Sequence, residues 1–509
     1  MTNSNQRVDC DGFVGRNYRQ EFIIPCRRLA AVAAIMMVAA GCTSQDDPKD
    51  SVDSGNKNSA IDAVFATWDV AGSPGCGLAV AQEGKLVYSR GYGYANLDHD
   101  IPITPQTVFD VASITKQFNA AGLSMLALEG KLSLDDDVRR WLPELPQYDS
   151  TITLRHMINH TSGLRDYLNL FPLAGRDDYH PISHDQILSM MSRQRALQFQ
   201  PGEQYKYSNT AYMLLAQVVE RAGGKTFGEM TRERIFNPLG MDGSLMYENR
   251  EEIIPNRAIG YDLGDDGHVR IVHNYNFAVA GDGQLYTTME DLLRWDNYLH
   301  GTEKPAIHSM MLTAGTLNNG DLTSYAQGLR LDEYRGLRTV GHSGSSWGFR
   351  SELVRFPDAD LSIAISCNFD SSSPGKLAQQ VADYYLADQL GAKSADENTD
   401  ADQEDADPSL EPPSLSRSEF GEYEGDFFST ELDAIYRFTV EGSGLIVRIE
   451  QVPPLRVSPV AEDQFEFAFH PKGWGAPSQV SLEFERNPVA VTGFSLSLGS
   501  ERGILFERM

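Results

Sequence analysis

A dense acidic segment divides this 509-residue chain into two stretches of different character. Residues 396–407 read DENTDADQEDAD, and a proline-containing stretch without apolar periodicity follows them. A run of like charges with almost no apolar side chains cannot bury a core and is typical of a solvated linker. We therefore expect a linker over residues 392–416, which joins a larger domain over 61–391 to a smaller domain over 417–509.

The larger stretch alternates between helix and strand patterns. Helical periodicity covers residues 113–130 and 209–224, and glycine ends each pattern. Strand patterns occupy residues 75–96, with a hairpin turn around Gly84, and they crowd again between 339 and 369. Because strands lie at both ends with helices between them, we predict an α+β domain whose sheet is closed by its two chain ends.

The smaller stretch has the period-two pattern of half-buried strands. Apolar residues alternate with other residues in three runs, which are Phe465, Phe467 and Phe469; Val480, Leu482 and Phe484; and Phe494, Leu496 and Leu498. Successive side chains of a strand point to opposite faces, so each run places one face of its strand against a core. We predict a small all-β domain here, built as a barrel or a sandwich.

The N-terminal residues have the features of an export signal. Two arginines precede an apolar run from Leu29 to Ala40, which is shorter than the ~20 residues that cross a bilayer. A basic segment before a short apolar run is typical of a secretory signal peptide. The residues at the end of the run, Ala39-Ala40-Gly41-Cys42, resemble the lipobox of bacterial lipoproteins.

This resemblance implies a signal peptide over residues 1–42 and lipidation of Cys42. It also implies a lipoprotein of the bacterial cell envelope, and Thr43 in place of Asp after the cysteine suggests the outer membrane, facing the periplasm. We expect the polar residues 43–60 to be a flexible tether between the lipid and the domain. Cleavage of an ordinary signal peptide beside an incidental cysteine is the alternative.

Charge and cysteine content restrict the class of protein. The formal net charge of −28 argues against a nucleic-acid partner, because binding phosphates requires clustered Lys and Arg. Cys76 and Cys367 lie in predicted strands, where each can serve as an ordinary core residue. A disulfide between them would suit an oxidising compartment, but their spacing does not decide between the two states.

Three pairs of the form Ser-x-x-Lys occur, and their surroundings distinguish them. The pair at 54–57 lies in the polar tether, and the pair at 373–376 has proline and glycine between its members. Ser113 and Lys116 lie at the start of a helical pattern, where residues i and i+3 share one face. The partial positive charge of a helix N-terminus also stabilises a developing alkoxide. Ser113 is therefore the candidate nucleophile, with Lys116 as its partner.

Two further motifs accompany this pair along the chain. Tyr207-x-Asn209 precedes a predicted helix, and His342-x-Gly344 lies on a predicted strand. In this order the three motifs resemble those of the serine β-lactamase/penicillin-binding-protein superfamily, and most closely the class C β-lactamase-related hydrolases, which include esterases and D-amino-acid peptidases. The resemblance covers residues 61–390. It implies an antiparallel sheet flanked by helices, with a helical subdomain, and the small all-β, barrel-like domain predicted from its strand pattern follows.

The family pattern implies a role for each residue of the site. Ser113 would form the acyl-enzyme, and Lys116 would share a proton with Tyr207 as general base. Asn209 would hold the lysine and contact the substrate. The backbone N–H groups of Ser113 and Ser345 would form the oxyanion hole.

The third motif departs from the Lys-Thr-Gly of many β-lactamases. A permanent cation there would attract a substrate carboxylate, whereas His342 is largely neutral at pH 7. We therefore expect His342 to line the site, with esters or small amides and D-peptides as substrates. A β-lactamase or D-Ala-D-Ala carboxypeptidase-like activity is the alternative. Gly344 would let the substrate backbone lie close to the strand.

Two other functions receive less support from the residues. A non-catalytic envelope sensor would gain nothing from an intact serine, lysine and tyrosine. His156 and His160 have the spacing of helix-borne metal ligands, but no glutamate follows the first histidine and no third ligand is evident. We expect neither a metal nor a cofactor, and the expected partners are a small-molecule or short-peptide substrate and the membrane that holds the lipid.

Overall fold

The computed structural model describes most of the chain beyond residue 57. The described residues are 58–176, 182–264, 266–272, 277, 279–301, 303–392, 415–469 and 478–509. The predicted signal peptide with Cys42 lies outside them, as do residues 43–57 of the predicted tether and 393–414 of the predicted linker. Residues 58–60, the end of the predicted tether, are helical instead. None of the helices in the described part is long and apolar enough to span a membrane.

The larger domain is built on a six-stranded antiparallel sheet. Its strands are, in spatial order, β10 (Arg330–Tyr334), β11 (Leu337–Ser346), β12 (Phe349–Phe356), β13 (Leu361–Cys367), β1 (Cys76–Gln82) and β2 (Lys85–Tyr92). Strand β1, from the start of the domain, pairs along its whole length with β13, from the end. The prediction that both chain ends complete this sheet is confirmed.

Smaller sheets and helices complete this domain. The small sheets are β3 (Tyr94–Asn96) with β4 (Ile101–Pro102); β5 (Phe109–Asp110) and β6 (Leu245–Met246) on either side of β9 (Leu285–Thr287); and β7 (Gly260–Leu263) with β8 (Val269–Val272). The helices are α1 (58–64), α2 (Thr115–Leu128), α3 (Leu154–Ile158), α4 (Tyr167–Leu173), α5 (His184–Ser192), α6 (Asn209–Gly223), α7 (Phe227–Thr231), α8 (Asn237–Leu239), α9 (Met289–His300), α10 (His308–Met311) and α11 (Pro374–Tyr385). Because α9 and α11 pack against the main sheet from opposite faces, the predicted α+β class is confirmed.

Local sequence explains the turn and the helix that matter most for the site. Glu83 and Gly84 join β1 to β2 with φ angles of 51° and 71°, the left-handed pair that a two-residue hairpin turn requires. Helix α2 begins at Thr115, and Ser113 lies in the 3₁₀ turn before it. The helix ends before Gly130, whose φ of 70° suits a helix terminus.

The smaller domain is a closed eight-stranded barrel. After the short helix α12 (Arg417–Phe420), its strands are β14 (Gly425–Ser429), β15 (Ala434–Glu441), β16 (Gly444–Ile449), β17 (Leu455–Ala461), β18 (Gln464–Phe469), β19 (Ser478–Arg486), β20 (Val491–Leu498) and β21 (Glu501–Arg508). The alternating apolar residues of β18, β19 and β20 are buried. The predicted all-β domain is therefore confirmed, and of the two predicted forms it is the barrel.

A disulfide joins the first and the last strand, in sequence order, of the main sheet. Cys76 on β1 lies directly opposite Cys367 on β13, and the two residues form a disulfide. Both are fully buried. Of the two states that the sequence left open, the structure has the bonded one.

Removal of this disulfide is expected to destabilise the larger domain. It closes a loop with a sequence separation of 291, and such a crosslink restricts the unfolded chain. The double variant Cys76→Ala/Cys367→Ala should lose about 2–5 kcal/mol of unfolding free energy in urea titrations. Wild-type protein in reductant should behave as the variant does, and an unchanged urea midpoint in both would contradict the bond.

Candidate active site

The side chains of Ser113 and Lys116 meet at the N-terminus of α2. Ser113 lies in the 3₁₀ turn that leads into the helix, and Lys116 lies in its first turn. Lys116 Nζ is 3.1 Å from Ser113 Oγ. The lysine is fully buried, whereas the serine is partly exposed. The structure thus places these two side chains within hydrogen-bond distance, with the serine open to approach.

Lys116 Nζ has two further partners, and both are oxygen acceptors. Asn209 Oδ1 lies 2.9 Å from it, and the backbone carbonyl of Asp282 lies 2.8 Å from it. When these two oxygens take two N–H groups, the remaining direction of the nitrogen points at Ser113 Oγ. An ammonium group donates along that direction, and a neutral amine accepts the hydroxyl proton there. The arrangement suits a lysine that takes a proton from Ser113 and later returns it.

Tyr207 faces the same nitrogen from another part of the chain. Lys116 Nζ lies 4.8 Å from the centre of the Tyr207 ring, within the range of a cation–π contact. The ring also packs against His160, with 4.3 Å between ring centres. The hydroxyl of Ser113 and the ring of Tyr207 therefore both lie beside the buried nitrogen of Lys116, although the turn that carries Tyr207 lies between α5 and α6.

The loop over residues 160–167 holds the turn that carries Tyr207 and Asn209. His160 Nδ1 accepts the N–H of Ser208 at 3.0 Å, and Asp166 Oδ2 accepts the N–H of Asn209 at 2.6 Å. Burial lowers the pKa of His160 well below its usual range, and the charge of Lys116 lowers it further. His160 is therefore neutral, with its proton on Nε2.

The two histidines of the metal-like spacing serve the backbone separately. His156 Nδ1 accepts the N–H of Thr153 at 3.2 Å, as part of the N-terminal cap of α3. His160 holds the Ser208 turn. Among the residues that the structure describes, no group of three His, Cys, Asp or Glu side chains could hold a metal ion.

His342 lies behind the site and is fully engaged within the protein. Its Nδ1 is 2.6 Å from the carbonyl of Ser343 and therefore donates, so that Nε2 accepts from the hydroxyl of Tyr325 at 3.0 Å. Burial, with a further contribution from Lys116, lowers the pKa of His342 to about 3. The ring is neutral at pH 7 and has no free nitrogen for a substrate, so its position is that of a support for β11 and Tyr325.

Gly344 allows β11 to approach the turn that carries Ser113. A Cβ atom at this position would lie 2.2 Å from the carbonyl oxygen of Val111 and 3.3 Å from Cβ of Ala112. The close neighbour in the structure is thus the protein's own turn, whereas the sequence suggested a substrate. The same approach brings the backbone of Ser345, the next residue, towards that of Ser113. Ser345 is exposed.

Sequence reasoning missed Asp282, which supports the lysine from the loop before β9. Its carbonyl accepts from Lys116 Nζ, and its carboxylate accepts from the hydroxyl of Tyr167 at 2.9 Å. Burial raises the pKa of Asp282 to about 6, and the charge of Lys116 opposes this rise. The only sequence signal was its place between the glycines of Ala280-Gly-Asp-Gly.

Sequence reasoning also missed Asp110, which ties the turn that carries Ser113 to β11. Asp110 is 1% exposed; its Oδ1 accepts the N–H of Ala112 at 2.9 Å, and its Oδ2 accepts the hydroxyl of Ser346 at 2.8 Å. Ala112 precedes Ser113, and Ser346 follows Ser345. One carboxylate therefore holds the neighbours of both backbone N–H groups that were predicted to form the oxyanion hole. An acid inside the apolar run VFDVAS was the available signal.

The turn that Asp110 holds has an uncommon backbone conformation. Ala112 has a φ of 48°, in the left-handed region that costs a residue with a side chain of order 1 kcal/mol or more. Its N–H is bound by Asp110, and its carbonyl accepts from Thr115 Oγ1 at 2.6 Å. Burial raises the pKa of Asp110 to about 6, while its two hydrogen bonds favour the carboxylate. We conclude that Asp110 is a positioning residue.

The variant Asp110→Ala is expected to slow the labelling of Ser113 by a fluorophosphonate. Removal of one oxyanion donor costs about 10²–10³ in rate. Because this variant displaces the donors without removing them, the loss should be about 10–100-fold. Asp110→Asn should lose much less, since its amide can still accept from Ala112 and donate to Ser346. Labelling rates per folded molecule give the comparison.

Asp291 offers a matched control for this experiment. Its carboxylate also accepts one backbone N–H, from Gly243 at 2.9 Å, and one serine hydroxyl, from Ser244 at 2.8 Å. Asp291→Ala should lower stability without slowing the labelling of Ser113. Equal slowing in the two alanine variants would show that Asp110 has no special relation to the site.

Comparison with known proteins agrees with this architecture. The Beta-lactamase family model matches residues 61–386, which is more than half of the chain. A penicillin-binding protein of Bacillus subtilis (strain 168) is 31% identical over 319 residues, which span 60% of this chain and 70% of that protein. A D-aminopeptidase of Gluconobacter oxydans (strain 621H) is 29% identical over 311 residues, which span 61% of this chain and 58% of that protein.

Among solved structures, the octameric penicillin-binding protein homologue from Pyrococcus abyssi superposes with a TM-score of 0.57 at 23% identity. The match covers 89% of this chain and 99% of that one. At this identity the match shows the fold alone. The family match and the Bacillus relative go further: the chain belongs to the Beta-lactamase family, within the superfamily of serine hydrolases that includes the penicillin-binding proteins.

Proposed function

We propose that this chain forms an acyl-enzyme on Ser113 and hydrolyses esters or small amides, D-peptides among them. The observation that carries the proposal is the 3.1 Å contact between Lys116 Nζ and Ser113 Oγ. A serine hydroxyl is a weak nucleophile until a base within hydrogen-bond distance takes its proton. The acceptors that hold the lysine leave it one direction for that proton, which favours this role.

In the acylation step, Ser113 Oγ attacks the carbonyl carbon of the substrate. The hydroxyl proton passes to the pair formed by Lys116 and Tyr207, whose amine and phenolic oxygen share a single proton before this step and can therefore take a second one. The carbonyl oxygen becomes an oxyanion that accepts from the N–H groups of Ser113 and Ser345. The tetrahedral intermediate then collapses, and the leaving alcohol or amine takes the proton from the pair. Asn209 keeps the lysine in place through Oδ1, and its side-chain amide forms a hydrogen bond with the substrate amide.

Water completes the cycle in the deacylation step. The Lys116–Tyr207 pair takes a proton from a water molecule as it attacks the acyl carbon. The same two N–H groups stabilise the second oxyanion, and Ser113 Oγ leaves as the acid product forms. The proton returns to Ser113, so the enzyme is regenerated with no metal or cofactor in any step.

The surroundings of the serine favour esters and small amides over carboxylate-bearing substrates. His342 is neutral and occupied by Ser343 and Tyr325, so the third motif supplies no cation for the carboxylate of a β-lactam or of a D-Ala-D-Ala peptide. The relative named a D-aminopeptidase supports D-amino-acid amides, and the relative named a penicillin-binding protein supports the alternative. Because the third motif supplies no cation, we propose esters and D-amino-acid amides first, with β-lactamase or carboxypeptidase-like activity as the alternative.

The assignment of the nucleophile predicts a sharp loss in two variants. Ser113→Ala should abolish labelling by a fluorophosphonate or a fluorescent penicillin. Tyr207→Phe should lower hydrolysis of a p-nitrophenyl ester by about 10²–10⁴, the usual contribution of general acid–base catalysis. Ser373→Ala, in another Ser-x-x-Lys string, is the matched control and should keep both activities. Labelling that survives in Ser113→Ala would exclude the proposal, and turnover lost in the first two variants would exclude a non-catalytic sensor.

We also propose that the mature protein is anchored in the bacterial cell envelope through lipidated Cys42. The support is the basic and apolar segment over residues 26–44 with its lipobox-like end. On expression of the full chain in bacteria, the protein should appear in the membrane fraction, and Cys42→Ser should move it to the soluble fraction. Identical fractionation of the two proteins would contradict the anchor.

A further inference from the structure

A buried glutamate of the barrel contacts the loop over residues 160–167. Glu501, at the start of β21, is fully buried, and both of its carboxylate oxygens accept hydrogen bonds. Oε1 accepts from the backbone N–H of Asp166 at 3.2 Å and from Asn169 Nδ2 at 3.1 Å, and Oε2 accepts from Gln198 Nε2. All three donors belong to the larger domain, so a barrel side chain organises a segment of the other domain.

A second contact from the barrel fixes the residue before Asp166. Arg165 Nη1 lies 2.6 Å from Glu431 Oε2, in the turn between β14 and β15, and Nη2 lies 2.7 Å from the carbonyl of Arg502. The side chains of both ion-pair partners are buried. Removal of one partner from such a pair is costly, because the other charge is then left unpaired. Arg165 and Asp166 are thus held in place from the barrel side.

Asp166 transmits this position to the site itself. Its Oδ2 accepts the N–H of Asn209, the first residue of α6, at 2.6 Å. The side chain of the same residue, Asn209 Oδ1, lies 2.9 Å from Lys116 Nζ. A continuous set of contacts therefore leads from the barrel to the nucleophile, in the order Glu501, Asp166, Asn209, Lys116 and Ser113.

We infer that Glu501 is a positioning residue of the active site and that the barrel is needed for efficient acylation of Ser113, because it holds the Asp166 turn against Asn209. The inference rests on the proposed function. Asn209 is fixed at its backbone by Asp166 and at its side chain by Lys116. A shift of Asp166 therefore moves the amide that orients the lysine, and small displacements of such groups are costly in rate.

The electrostatics of this contact support a role beyond attachment of the two domains. Burial, together with the negative charge of Asp166, raises the pKa of Glu501 to about 7. Burial also raises the pKa of Asp166. Two buried acids so close together are costly, and apolar side chains of the same volume would attach a barrel at a lower cost. Unlike apolar side chains, the carboxylate of Glu501 accepts a directional hydrogen bond from the N–H of Asp166 and thereby orients that residue.

The side chain of Gln198 can form a hydrogen bond with glutamine as well as glutamate at position 501, so that Glu501→Gln is a conservative variant. The Oε1 of Gln198 is buried without a hydrogen-bond partner, while its Nε2 donates to Glu501. In Glu501→Gln, the new side chain keeps one oxygen that accepts from Asp166 and Asn169. Its amide nitrogen can donate to Gln198 Oε1 after the amide group of Gln198 rotates by about half a turn. Glu501→Ala leaves all three donors unpaired. The two variants therefore separate the loss of charge from the loss of positioning.

The test uses the full chain and measures rates per titrated active site, well below the unfolding temperature. The measurements are the rate of fluorophosphonate labelling of Ser113 and kcat and KM for p-nitrophenyl acetate. Glu501→Ala should lower the labelling rate and kcat about tenfold or more with little change in KM, and Glu501→Gln should stay within about threefold of wild type. Tyr436→Phe removes another barrel contact, from its hydroxyl to the carbonyl of Leu173 at 2.9 Å, and should leave both rates unchanged.

A double variant distinguishes positioning from general destabilisation. If Glu501 acts through Asn209, Glu501→Ala costs a smaller factor in the Asn209→Ala background than in wild type, because residues in one network are not additive. An equal factor in both backgrounds, or a wild-type rate per site in Glu501→Ala, would overturn the inference. Should Glu501→Ala not be recovered folded, Glu501→Asp, with a carboxylate one methylene shorter, takes its place with the same expectations.

The two proposals fail in different ways. A wild-type protein that is not labelled and does not hydrolyse the ester contradicts the proposed function. An active wild-type protein whose Glu501→Ala variant is equally active per site contradicts the role of the barrel alone.

Discussion

The burial of one lysine amine is the constraint on which the rest of the site depends. A charged ammonium group loses its hydration on burial, and only well-placed partners offset that cost. Lys116 is fully buried and has three oxygen partners, from Ser113, Asn209 and Asp282. These partners lie before α2, at the start of α6 and before β9. The fold must therefore bring three distant segments to a single nitrogen atom.

Each of these segments is held by contacts deeper in the structure. Asp110 and the close approach at Gly344 set the turn that carries Ser113 against β11. The loop over 160–167 sets the start of α6, and the barrel in turn holds that loop. The protein thus has an inner group, Ser113, Lys116, Tyr207 and Asn209, and a surrounding group of buried acids. The inner group performs the proposed chemistry, and the outer group sets its geometry.

The parts that the sequence predicted are those with local signals. The two further motifs in order along the chain distinguished Ser113, and period-two alternation predicted the barrel strands. Helix spacing alone did not exclude Ser373, because α11 begins directly after it, although proline and glycine suggested that the pair had no helix to align it. The outer group had no such signal. Asp110 and Ser346 are 236 residues apart, and Glu501 and Asp166 are 335 residues apart, so only the folded chain shows that they touch. For the same reason, the sequence could not show that His342 is occupied by Tyr325.

A crystal structure of the protein after reaction with a fluorophosphonate would show whether Ser113 is the nucleophile of this site. We expect a phosphonyl group on Ser113 Oγ, with its free oxygen between the backbone N–H groups of Ser113 and Ser345. Lys116 Nζ should remain beside Ser113 Oγ, and the hydroxyl of Tyr207 should point at the same centre. Attachment at another residue, or a Tyr207 hydroxyl directed away from the phosphorus, would contradict it.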